Sequence, residues 1–90
     1  MTIGINDVPV TVQRMYKFET ERPLKAFVDV VIADVILLKG VRVTEENGKL
    51  RVEMPREQSA DKKWYDTVRC LTPEIRDKIE ATVLKAYNEE

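Results

Sequence analysis

Six basic side chains in the C-terminal half carry most of the chemistry available to this sequence: Arg56, Lys62, Lys63, Arg69, Arg76 and Lys78. Guanidinium and ammonium groups gathered on one surface neutralise phosphate oxygens, so these residue types point to nucleic-acid contact. Between Lys49 and Arg69 six basic residues stand against four acidic ones, a net of +2. From Pro73 to Glu90 three stand against five, so that segment as a whole is no phosphate rail. Its first turn is different, because Arg76 and Lys78 can join Arg56, Lys62, Lys63 and Arg69 if the preceding loop lies beside it. Dedicated nucleic-acid binders are usually basic overall, whereas this chain has 15 basic and 16 acidic residues, a net of −1. Local clustering must therefore supply any such role. The same cations also read as solvated surface charges that pair weakly with the interleaved acids, and both readings stand at this level.

Other chemistries find little support. The chain has no histidine and one cysteine, Cys70, which rules out a Cys/His nucleophile pair, a Cys/His zinc cluster and an intrachain disulfide. Its three glycines, Gly4, Gly40 and Gly48, make no phosphate-cradling loop, and the carboxylates have no metal-ligand spacing. We expect no enzyme, no cofactor, no metal and no small-molecule substrate. Arg69 could lower the Cys70 thiol pKa, but a buried structural cysteine is the better reading at a strand position. Trp64 and Tyr65 are neighbours and, in a strand, face opposite sides. Either one packs under the helix while the other is free to stack on a base, or both are partly buried core aromatics. Arg14, Lys17 and Arg22 read as surface residues that aid solubility.

Ninety residues make one domain with a thin core, and with no disulfide or metal a second copy of the chain is the expected reinforcement. A hydrophobic content of 43% is too high for general disorder. No apolar run approaches the roughly 18 residues that cross a membrane, and no export signal opens the chain, so a cytoplasmic protein without membrane partners is expected.

The elements that position these residues follow from periodicity and turn chemistry. Val8 to Phe18 reads as a first strand whose alternation slips near Gln13 and Arg14, where a bulge is expected. Glu19 to Pro23 is a turn. Leu24 to Ala33 alternates cleanly, with Phe27 and Val31 making its second face partly apolar as in a central strand covered on both sides. Asp34 turns the chain into a third strand, Val35 to Thr44, kinked at Gly40. Asn47-Gly48 is a strong hairpin signal and leads into a fourth strand, Lys49 to Met54. Pro55 to Lys63 reads as an exposed, mobile loop and Trp64 to Leu71 as a fifth strand. Thr72-Pro73-Glu74 is a helix start, and Ile75, Ile79, Val83 and Tyr87 give that helix an apolar stripe, widened by Leu84 and Ala86, to about Tyr87. The expected fold class is α+β: about five mainly antiparallel strands with a C-terminal helix across them.

The order of these motifs resembles a known family. Val41-Arg42-Val43, then Asn47-Gly48, then Leu50-x-Val52-x-Met54-Pro55, is similar to the strand, turn and "V-x-M-P" strand of the stage V sporulation protein G (SpoVG) septation regulators. Asp66 falls at the aspartate of the family's "F-R-D" strand. Leu71 to Ile79 resembles its "I-T-x-E-I-R-x-K-I" helix start, and Val83 to Tyr87 matches its close. The resemblance runs from about Val8 to Tyr87. It implies a small α+β domain that dimerises through its sheet, binds DNA and in some members RNA, and influences septum formation or sporulation. Tyr65 stands where the family has a basic residue, Arg69-Cys70 where it has "H-P", and Arg56-Glu57-Gln58 where a more basic stretch is usual. Near-neutral charge and the departures at Glu57 and Tyr65 leave a second role open: a protein-interaction module recruiting a partner strand at a sheet edge.

Overall fold

In the computed structural model, residues 8–89 are described; Gly4, read as part of an N-terminal tail, and Glu90 lie outside them. Four strands run as an antiparallel meander in the order β1–β2–β3–β4: β1 Val10–Lys17, β2 Leu24–Ile32, β3 Ile36–Glu46 and β4 Lys49–Glu53. A short hairpin, β5 Arg56–Gln58 and β6 Trp64–Asp66, forms a separate two-stranded sheet, and α1 Pro73–Glu89 closes the chain. The α+β class stands. The fifth strand ends at Asp66 rather than Leu71, and it pairs with residues expected to be loop. The reason is local: the Thr67 amide and hydroxyl both donate to the Pro55 carbonyl, at 3.2 and 3.1 Å. That closes the hairpin at its base and releases residues 67–72 to cross to the helix.

Turn chemistry sets the meander. Asn47 and Gly48 carry φ of 52° and 79°, the paired positive angles of a tight two-residue hairpin turn. Ala33 and Asp34 also carry positive φ, 56° and 59°, in the three-residue loop between β2 and β3. Gln13 is the extra residue where Val12 pairs with Val30 and Arg14 with Asp29. Gly40, at φ 85°, lies in a second bulge, between the Val28–Val41 and Val30–Leu38 pairs. Such insertions bend the strands.

One face of the sheet meets the helix. Val10, Ala26, Val28, Val30, Val41, Val43 and Val52 are buried against Ile79 and Val83, a core of mostly β-branched residues with no buried aromatic. Cys70 packs half-buried at its margin. Thr72 caps the helix, its hydroxyl accepting from the Ile75 amide at 3.3 Å. At the other end Lys17 donates to the Tyr87 carbonyl at 3.1 Å and lies 4.4 Å from the Tyr87 ring centre, complementing the negative helix end. Lys17, read as a solubility residue, thus ties β1 to α1.

The opposite face carries Tyr16, Phe27 and Arg42, paired in a row across β1, β2 and β3. No helix covers it among the described residues, so β2 is only half-buried there instead of covered on both sides. Phe18 packs edge-on against Phe27, 5.5 Å between centroids.

Candidate functional site

β4 is an edge strand, and along its outer side the chain folds back to form a recess of about 250 Å³. Four arginines line it from four segments: Arg51 on β4, Arg56 on β5, Arg69 in the connection, and Arg76 in the first part of α1. Each arrives for a local reason. Arg51 alternates with the inward-facing Leu50 and Val52, so it projects away from the helix. Arg56 follows the buried Pro55 that turns the chain off β4. Arg69 alternates with the half-buried Val68 and Cys70. Arg76 follows the half-buried Ile75 on the exposed side of the helix.

Glu53 and Asp66 also line the recess, leaving a net of +2 among its ionised side chains. Asp66 holds two of the cations: its carboxylate oxygens lie 3.4 Å from Arg56 Nε and 4.0 Å from Arg69 Nη2. Arg51 pairs with Glu46 at 3.2 Å. All these pairs are largely exposed, where ion pairs are weak and readily exchanged for another anion. Guanidiniums held at low cost around an open recess can donate bidentately to phosphate oxygens.

The six sequence-assigned cations separate into three groups. Arg56, Arg69 and Arg76 converge on the recess, joined by Arg51. Lys62 and Lys63 lie in the β5–β6 turn, outside its lining. There Lys62 has φ 65°, its carbonyl accepts from Gln58 at 3.2 Å, and Lys63 pairs with Asp61 at 3.9 Å. Lys78 points to the other side, toward β1, donating to the Val8 carbonyl. Arg51 escaped selection because it sits in a strand of alternating charge, Lys49-x-Arg51-x-Glu53; its neighbourhood to Arg56 across Pro55 was the available signal.

Trp64 stands beside the recess. Its ring centre is 5.9 Å from the Arg56 guanidinium and 5.6 Å from that of Arg42, which is also 5.7 Å from Phe27. Arg42 thus links the hairpin to the uncovered sheet face. Trp64 and Tyr65 do take opposite sides, but each is 49% exposed and neither lies under the helix or in the core. The Tyr65 hydroxyl donates to Glu57 Oε2 at 3.1 Å, and this bond raises the tyrosine pKa. Asp61 is held below the usual carboxylate range, chiefly by a hydrogen bond from the Ser59 hydroxyl.

A small antiparallel sheet backed by one helix, with an arginine-lined recess on its edge strand, defines an α+β domain. The SpoVG family model matches residues 8–89, and the chain belongs to that family. It is 31% identical over 80 residues to a Staphylococcus carnosus protein named for septation, SpoVG, covering 89% of this chain and 75% of that one. An archaeal protein of the same name from Archaeoglobus fulgidus is 35% identical over 81 residues, covering 90% of this chain and 95% of its own. A Staphylococcus aureus relative, again of that name, is 30% identical over 80 residues and is covered over 80% of its length.

Proposed function

We propose that the protein is a regulator of the septation type, without catalytic activity of its own, that binds nucleic acid through the arginine recess. The presence of Arg51, Arg56, Arg69 and Arg76 in the lining of one opening carries this reading. Phosphate oxygens displace Asp66 as the partner of Arg56 and Arg69, while Arg51 and Arg76 flank the backbone. A net of +2 permits few phosphate contacts per chain, so single-site binding is weak and salt-sensitive. A homodimer presenting two recesses recovers affinity by bivalency. Val35, Ile36 and Leu37, at 80, 54 and 40% exposed on the β2–β3 hairpin, offer the apolar surface a second copy would cover. No helix among the described residues is long and apolar enough to cross a membrane, which accords with action in the cytoplasm.

The same apolar hairpin supports a second reading, a module that contacts another protein and has no affinity for nucleic acid. Charge reversal separates the two. Arg56→Glu with Arg69→Glu should abolish binding to a labelled DNA duplex, while Lys62→Glu with Lys63→Glu, outside the recess, should weaken it only modestly. Unchanged affinity in the arginine pair would eliminate the recess as the site.

A further inference from the structure

We infer that the recess takes a single-stranded nucleic acid, with one base lying on the Trp64 ring while a neighbouring phosphate meets Arg56 and Arg69. This rests on the nucleic-acid reading above and names the class of strand it serves. Trp64 pairs with Gln58 and Asp66 with Arg56, so strand alternation places Trp64, Arg56 and Asp66 on one side of the hairpin. Glu57 and Tyr65 take the other side, joined to each other. Arg56 belongs to both halves of the site, lining the recess and lying against the indole. A nucleotide stacked on Trp64 therefore has its backbone beside the guanidiniums.

Two further observations favour a single strand over a duplex. Half of the Trp64 surface faces solvent. Yet the ring is braced by Arg42, which lies between it and Phe27. It is an exposed aromatic surface held in place. In a duplex each base face is covered by its neighbours, so only an unpaired base can use this ring. The charge points the same way. A net of +2 at the recess is far below the roughly 6 to 10 phosphate contacts of strongly salt-dependent duplex binders, whereas stacking adds affinity that needs no further cations.

Trp64 is the only tryptophan, so fluorescence excited beyond the tyrosine absorption band reports on it alone. The full chain would be titrated with a single-stranded DNA of about a dozen thymidines and with a random-sequence duplex, following both fluorescence and the anisotropy of an oligonucleotide label. The expected result is saturable quenching by the single strand, tighter single-strand than duplex binding, and a loss of roughly tenfold in single-strand affinity in Trp64→Leu. Trp64→Phe, which keeps an aromatic face on the hairpin, should retain most of the affinity and so separates stacking from folding. Duplex binding at least as tight, with tryptophan emission unchanged, would overturn this inference and leave the recess reading intact. Absence of binding to either nucleic acid would overturn both.

Discussion

Asp66 sets the balance at the recess. Its carboxylate holds Arg56 and Arg69 in place and at the same time competes with any incoming phosphate. Removing its charge should tighten binding: Asp66→Asn is expected to gain about two- to fivefold in affinity, the scale of an exposed ion pair, measured by anisotropy beside the wild type. Across the hairpin, the two departures from the family pattern at Glu57 and Tyr65 turn out to be hydrogen-bonded partners. Because the bond raises the tyrosine pKa, its contribution is complete below the ordinary tyrosine pKa and is lost as pH rises through the raised value. Glu57→Ala should lower the Tyr65 midpoint in a 295 nm absorbance titration; an unmoved midpoint would mean that the bond does not form in solution. That partnership was not legible in the sequence, since pairing residues 57 and 65 requires knowing the register of a hairpin whose strands are only three residues long.

At the scale of elements, what was legible had a local cause. Asn47-Gly48, the slip at Gln13 and the Thr72-Pro73 helix start each act through neighbours in sequence, and each is found where the residues place it. The β5–β6 hairpin was hidden because Arg56-Glu57-Gln58 buries nothing and shows no apolar alternation. Trp64 to Leu71 looked like one strand because Trp64, Val68 and Cys70 share one phase of a two-residue alternation; the bonds from Thr67 to Pro55 interrupt it. Three of the six assigned cations gathered at the recess because they flank that same turn and the helix start. Lys78 went elsewhere because the helix twist carries it to the side of Val8. Turn chemistry also makes a prediction. Ala33 sits at φ 56°, a region that costs a Cβ-bearing residue about 1 kcal/mol and that asparagine tolerates better. Ala33→Asn should raise stability by about 0.5 kcal/mol in urea unfolding, and a loss would show that Ala33 makes a contact the turn needs.

The whole molecule is thinly built. Its core is a single layer of valines against Ile79 and Val83, so each buried side chain is a large share of a total stability of roughly 5–13 kcal/mol for this length. Ile79→Ala should cost about 2–5 kcal/mol, measured by urea unfolding, whereas Val35→Lys, at an 80% exposed position, should leave the monomer's stability nearly unchanged. With a net charge of −1, the molecule gains no long-range attraction to phosphate; whatever binding it has depends on how the fold gathers its arginines.

That dependence is tested most directly by the salt dependence of binding. The full chain would be titrated into labelled single-stranded and duplex DNA at about 50 and 200 mM salt, with the Arg56→Glu/Arg69→Glu variant alongside. Measurable binding at the lower salt is expected, falling as salt rises with a log–log slope of about −2 to −4 for one or two recesses, and the variant should not bind. No binding by the wild type at 50 mM salt, or a variant that binds equally well, would contradict nucleic-acid binding through the recess.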